Sequence, residues 1–203
     1  AFIQLLALGL VLRWVFVNQS WWLITLIIVS MLVAGTQIAL SRTQSTMKGL
    51  RFEVFVTLTI SMVIVVVLVV QVIVAPDPWY DARIMLSLVG MILGNGVAAV
   101  AVALDRLLSD MDSRTDEIFA MVALGATPRE AAMPSIRQSV SAGLIPTIST
   151  MSAAGIVTIP GRMAGQIIAG ADPVTAATYQ ILVLVMISAV TILADILIIL
   201  FTY

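Results

Sequence analysis

Six apolar runs constrain this chain more than any other feature: 1–17, 20–40, 54–75, 84–104, 138–158 and 174–202. A helix crosses a bilayer with about 20 apolar residues, roughly 30 Å at 1.5 Å per residue. Burying these runs in a soluble core would need a polar surface that the chain lacks. Of its 203 residues 61% are hydrophobic and 10% charged, whereas soluble domains carry about 25% charged residues. The expected fold is all-α: a polytopic membrane helix bundle of six spans, forming one membrane domain over 1–203.

The same composition excludes several function classes. Net charge is −1, so no basic field invites nucleic acid, and membrane lipid is the expected surroundings. Cysteine and histidine are both absent. That removes disulfides, thiolate and imidazole metal sites, and every catalytic arrangement built on Cys/His or Ser/His. No nucleophile–base pair can be assembled, and the expectation is a non-enzyme. The chain starts in apolar residues without an initiator Met, which reads as a trimmed N-terminus, and 1–17 lacks the charged head and small-residue cleavage site of a signal peptide.

The one long polar stretch is 105–137, DRLLSDMDSRTDEIFAMVALGATPREAAMPSIR. It holds four of the ten basic residues and most of the acidic ones. Leu108, Met111, Thr115, Ile118 and Val122 recur at helical spacing, with Asp105, Asp112 and Asp116 on another face. Gly125 stands where a left-handed C-terminal cap is expected. Thr127, Pro128 and Glu130 then spell a new start, with threonine at the N-cap, proline at the first helical position and glutamate completing a capping box. The segment is predicted to be helix, sharp turn, helix.

Placing 105–137 in the cytoplasm puts Arg42, Lys48, Arg51, Arg106, Arg114, Arg129 and Arg137 inside, against Arg13, Arg83 and Arg162 outside, as the positive-inside rule requires. Trp14, Trp21, Trp22, Trp79 and Tyr80 then form an aromatic belt at the outer interface, and the C-terminus is cytoplasmic. In span four, Gly90 and Gly94 form a GxxxG pattern that lets a second helix approach closely. Packing within the chain is favoured over a dimer seam. Asn95 beside it needs a partner or a water-lined cavity at membrane depth. Span five is the least lipid-like. Thr147, Ser149, Thr150 and Ser152 mark it as a helix of the protein interior, Pro146 is expected to kink it, and small-residue packing and a pathway role are equally open. Residues 159–171 are too short to cross, and Pro160, Gly161, Gly165 and Gln166 read as a hairpin or short helix at the outer surface. Asp172 and Pro173 cap the last span. Asp195, a lone carboxylate about two turns from the end of that span, could pair, titrate or bind a cation, and a solvated side chain near the interface is the favoured expectation.

Four stretches resemble one family, the FetB (YbbM) type ABC-transporter permeases, which include plant aluminium-tolerance membrane subunits. They are GMILGNGVAAVAVAL (90–104), LGATPREAA (124–132), SIRQSVSAGLIPTIST (135–150) and GIVTIPGRMAGQIIAGADPVTAATYQILV (155–183). The resemblance implies a further N-terminal helix, hence seven spans in the full protein, in a plasma or bacterial inner membrane. It implies a homodimer with two copies of an ATP-binding cassette subunit. ATP and Mg would sit on that partner, and this chain would bind no cofactor. It also implies export of iron or a related metal, with an organic anion such as a nucleotide sugar as the alternative cargo. Importer permeases instead carry Glu-Ala-Ala and then glycine in their coupling loop. Measured from Gly125, that position here reads Phe119-Ala120-Met121, so the acid is missing.

The 203 residues hold no Walker A loop, so active transport would draw on a partner chain. The expected coupling residues are Ile118, Phe119, Val122, Gly125, Thr127, Pro128 and Glu130. The expected substrate path comprises Asn95, Thr147, Ser149, Thr150 and Ser152. An ion-coupled secondary transporter would need titratable groups at the midplane, and only Asp195 is on offer. A non-transporting relay of ATPase motion usually has a large outer domain, whereas the outer loops here are short. Single cysteines introduced into this cysteine-free chain test the orientation. A cysteine near Asp77 should be labelled from outside, and one near Asp112 only after permeabilisation; the reverse pattern overturns the topology.

Overall fold

The structure is a computed structural model and describes residues 2–18, 20–43, 49–74 and 81–202. Eight α-helices follow in order: α1 (Phe2–Asn18), α2 (Trp21–Ser41), α3 (Leu50–Leu68), α4 (Ala82–Ser113), α5 (Thr115–Ala123), α6 (Pro128–Ala153), α7 (Gly161–Ile168) and α8 (Pro173–Thr202). A π-helical turn, Val69–Val74, continues α3. Among the described residues no β-strand occurs. Lys48, Asp77, Trp79 and Tyr80, which the orientation argument uses, lie outside the described residues.

Helices α2, α4, α8 and the segment Leu50–Gln71 are long and apolar enough to cross a membrane. The other two of the six expected spans are of another kind. Helix α1 has 17 described residues and is a shorter apolar helix than those four. Helix α6 has 26 residues, but its serines, threonines and prolines keep it from being apolar. Its limits also differ from the predicted 138–158. The N-terminus is set ten residues earlier by the Thr127 cap, and the helix ends before Gly155, whose φ of +82° suits a residue without a side chain. Helix α4 likewise runs nine residues beyond 84–104, because charged residues still propagate a helix that a bilayer cannot hold.

Helix α4 is the hub. It packs against α2, α3, α6 and α8 and also touches α1 and α5. Leu58, Ile92, Leu104, Leu107 and Ile198 are among the largest fully buried side chains of the core. Lipid tails are as apolar as leucine, so association of such helices depends on close packing rather than on escape from water. The close approaches occur at glycines. A Cβ on Gly35 of α2 would stand 2.9 Å from Val97 of α4, and one on Gly96 would stand 3.5 Å from Leu58 and 3.8 Å from Val190. Gly90 faces Met31 of α2 at 3.5 Å, whereas Gly94 meets open space in the groove between α2 and α4. A smaller apolar cluster of Val15, Ile24, Ala82 and Leu86 fastens α1 to α2 and α4.

The helix expected across 105–124 is interrupted at Arg114. Hydroxyls compete for its backbone carbonyls there: Ser113 donates to Asp110 O, and Thr115 to Met111 O and Asp112 O. The expectation for Asp195 is also corrected. It is 0% exposed, inside the bundle. Glycine at 143 is the reason, since the carboxyl occupies the space a side chain there would fill.

The packing account predicts that Gly35→Val lowers the thermal transition of the detergent-solubilised protein, while Gly94→Ala leaves it unchanged. Equal melting of the two variants would show that the α2–α4 approach is loose.

Candidate functional site: a capped corner and an interior cleft

The polar segment folds into a fixed corner. Helix α5 ends in a Schellman motif: Gly125 has φ +99°, its N–H donates to Val122 O at 3.0 Å, and the Ala126 N–H donates to Met121 O at 3.0 Å. Two residues later the predicted capping box is present. The Thr127 hydroxyl accepts from the Glu130 N–H at 3.3 Å, and Glu130 Oε2 accepts from the Thr127 N–H at 2.8 Å. Pro128 occupies the first turn of α6. The corner is tied down by a residue the sequence reading did not single out. Arg114 donates to both carboxylate oxygens of Glu117, at 2.8 and 2.7 Å, and to the Ser135 hydroxyl of α6 at 3.0 Å. A basic residue three before an acid on a helix was the available signal; the reach to Ser135 had none.

What this corner presents outward is apolar. Phe119 is 70% exposed and Leu124 89%, with Val122 partly exposed beside them. Ile118 and Phe119, together with Asp105, Asp112 and Thr115, line a cleft of about 700 Å³ between α4 and α5. An exposed aromatic and leucine on a rigid, hydrogen-bonded turn have the chemistry of anchors for a protein partner. The electrostatics favour the folded corner. The hydrogen bond to Glu117 holds the Arg114 guanidinium above its ordinary value and the Glu117 carboxyl below the usual range. The Thr127 backbone N–H, then its hydroxyl, hold Glu130 below that range too.

The second feature lies where α4, α6 and α8 meet. Asn95, Gly143, Pro146, Thr147, Thr150, Leu184 and Ile187 line a cleft of about 80 Å³. The Asn95 amide donates to Met91 O at 2.8 Å, so its carbonyl oxygen stays free to accept. The Thr150 hydroxyl donates to Pro146 O at 2.8 Å and keeps its lone pairs. Proline has no N–H, so Pro146 leaves the Ala142 carbonyl without its intrahelical donor. Of the residues expected on a path, Asn95, Thr147 and Thr150 are thus brought together. Ser149 and Ser152 lie apart from the cleft on the exposed side of α6, with Ser141. Pro160 and Gly161 open α7, with Gly165 and Gln166 in its middle, and α7 packs on α8. Asp172 caps α8, its carboxylate accepting from the Thr175 N–H at 2.9 Å. Among the described residues no three acidic side chains gather into a metal cage.

An all-helical chain with four long apolar helices, one of them the hub of the bundle, defines a multi-pass helical membrane protein. The chain belongs to UPF0014, an uncharacterised protein family, whose family model matches residues 1–203. This bears out the resemblance read from the four motifs. Among its relatives, UPF0014 membrane protein slr1647 of Synechocystis is 34% identical over 185 residues, covering 91% of this chain and 71% of that one. The probable iron export permease protein FetB of Escherichia coli is 39% identical over 119 residues, 59% of this chain and 46% of FetB. The protein ALUMINUM SENSITIVE 3 of Arabidopsis thaliana is 29% identical over 194 residues, 95% of this chain and 69% of that one. No solved structure matches.

Both glutamates of the corner bind protons more weakly folded than unfolded. Their stabilisation is therefore complete above the ordinary glutamate range and is lost as pH falls through their lowered folded values. Hydrogen exchange, corrected for intrinsic rates, should show the amides of Thr127, Glu130 and Ala131 holding their protection from neutral pH down through that range and losing it only below. Thr127→Ala should speed their exchange roughly fivefold at neutral pH. Protection that already falls near neutral pH would contradict the capping box.

Proposed function

We propose that this chain is the permease subunit of an ATP-driven transporter, with a separate ATP-binding cassette subunit docking on the 114–130 corner. The observation that carries the reading is the rigid, outward apolar corner of Phe119, Val122 and Leu124. It stands on a helix too long to end inside a bilayer. Helix α4 has 32 residues, about 48 Å, against a hydrocarbon core of about 30 Å. In this reading the corner and the C-terminus are cytoplasmic, and ATP and Mg are bound by the partner.

Two copies of the chain would enclose the pathway. Support comes from α6, whose exposed side carries Ser141, Ser149, Thr150 and Ser152 alongside Ile145 and Ile148. Such a face is poorly matched to lipid and suits a water-filled route or a second protein surface. Helix α1, as a sixth span, would sit at the periphery, held through its one apolar cluster. For the cargo, the name of the FetB relative supports export of iron or another hard metal cation. The cleft fits that chemistry, because its free donors are amide, hydroxyl and carbonyl oxygens, which hard cations prefer.

Truncating an interface anchor weakens binding by roughly thirtyfold or more. Phe119→Ala, and Gly125→Val at the left-handed turn, should therefore lose the ATP-binding subunit on co-purification and uncouple ATP hydrolysis from export, while still inserting into the membrane. Wild-type partner binding and export in both variants would place the docking surface elsewhere.

A further inference from the structure

The bundle contains one carboxyl that neither packing nor the corner uses. Asp195 is 0% exposed, and neither of its oxygens has a hydrogen-bond partner. The two ion pairs among the described residues, Arg106–Asp110 and Arg114–Glu117, are elsewhere. Helices α3, α4, α6 and α7 pack against α8. The charged residues flanking the apolar parts of these helices are Arg51 and Glu53, Asp81 and Arg83, Asp105 and Arg106, Arg137, and Arg162. None of them bonds Asp195. A carboxylate left bare in such surroundings is strongly disfavoured; it must hold either a proton or a cation.

Its position decides which exchange is open to it. A Cβ on Gly143 would stand 2.6 Å from the Asp195 carboxyl carbon and 2.7 Å from Oδ1, so only glycine leaves room for it. Gly143 also lines the cleft of Asn95, Thr147 and Thr150. The acid therefore lies against the bare α-carbon of a residue that forms the cleft wall, and no side chain at 143 stands between them. On one side is the only charge-bearing donor of the spanning part of α8. On the other are neutral oxygens: the Asn95 carbonyl and the Thr147 and Thr150 hydroxyls.

The geometry points to a site for a hard divalent cation at the Gly143 end of the cleft, held by the Asp195 carboxylate and the oxygens of Asn95 and Thr147, which the cation occupies by displacing the Asp195 proton. The exchange balances. The carboxylic O–H breaks, its proton passes to water, and the carboxylate oxygen takes the metal ion as a ligand, so one proton appears in solution for each cation bound. Gly143 is what lets the carboxyl swing across to the cleft. The site adds to the pathway reading the one negative charge that the cleft lacks. It is tested without the ATP-binding subunit, so its failure and the failure of partner docking are separate results.

The experiment titrates the purified full chain in nanodiscs with Mn²⁺, an ion suited to oxygen ligands. Paramagnetic resonance follows free Mn²⁺, and a pH indicator in weakly buffered solution follows proton release. Wild type should bind one Mn²⁺ and release about one proton per chain. Asp195→Asn should weaken binding at least about tenfold and abolish the release. Asn95→Leu should weaken binding less and keep the release. Infrared difference spectra of the unaltered protein provide a check that needs no variant: the band of a protonated carboxylic acid should vanish when Mn²⁺ is added. Absence of Mn²⁺ binding in wild type, unchanged binding in Asp195→Asn, or a carboxylic acid band that persists at saturating Mn²⁺ would each overturn the site.

Discussion

A helix longer than the membrane is thick is the constraint on which the rest of this architecture depends. Helix α4 carries the bundle through α2, α3, α6 and α8, and its 32 residues exceed the hydrocarbon core by roughly 18 Å. The excess lies at the end where Asp105, Arg106, Asp110 and Asp112 stand, residues a bilayer cannot accept. Because the helix does not stop there, α5 is held off the apolar bundle. Arg114 then fixes its direction by gripping Glu117 and Ser135. The exposed apolar corner is a consequence of that length and of those bonds, not of local flexibility.

Helix α6 obeys a different rule from its neighbours. Helices α2, α3 and α8 are apolar enough to meet lipid. Helix α6 is long enough to cross and begins with a capping box, yet carries serine, threonine and two internal prolines, Pro134 and Pro146. Where it is buried, it is small: Ala131, Ala132, Ser135, Ser139 and Gly143 turn inward. That allows α4 and α8 to pack closely on it and lets Asp195 fit where no larger residue would. Where it is exposed, Ser141, Ser149 and Ser152 stand among Ile145 and Ile148, and these hydroxyls ask for water or protein.

Most of the elements were legible because their causes are local. The turn at Gly125, the cap at Thr127 with Glu130, and the cap at Asp172 each depend on residues within a few positions, and all three occur in the structure. Helix ends set by caps beyond the apolar runs were missed, since hydropathy measures where lipid suits the chain and not where hydrogen bonds continue. The break at Arg114 was hidden in a sequence whose helical periodicity carries straight through it. Of the polar residues read as a path, Asn95, Thr147 and Thr150 converge and Ser149 and Ser152 do not, a matter of helix rotation that spacing alone does not fix. The Asp195–Gly143 contact joins residues 52 positions apart. No local pattern encodes such a pairing, which is why the acid read as solvated.

The account's central claim is that the exposed polar side of α6 faces water or a second copy of the chain and not lipid. Nitroxide labels at Ser149, and at Ile64 of α3 as a lipid-facing control, measure this directly in membranes through relaxation by oxygen and by a water-soluble paramagnetic reagent. The account predicts that the label at Ile64 is relaxed by oxygen alone. At Ser149 the label should be reached by the water-soluble reagent or shielded from both. Relaxation of the Ser149 label by oxygen alone, as at Ile64, would contradict it.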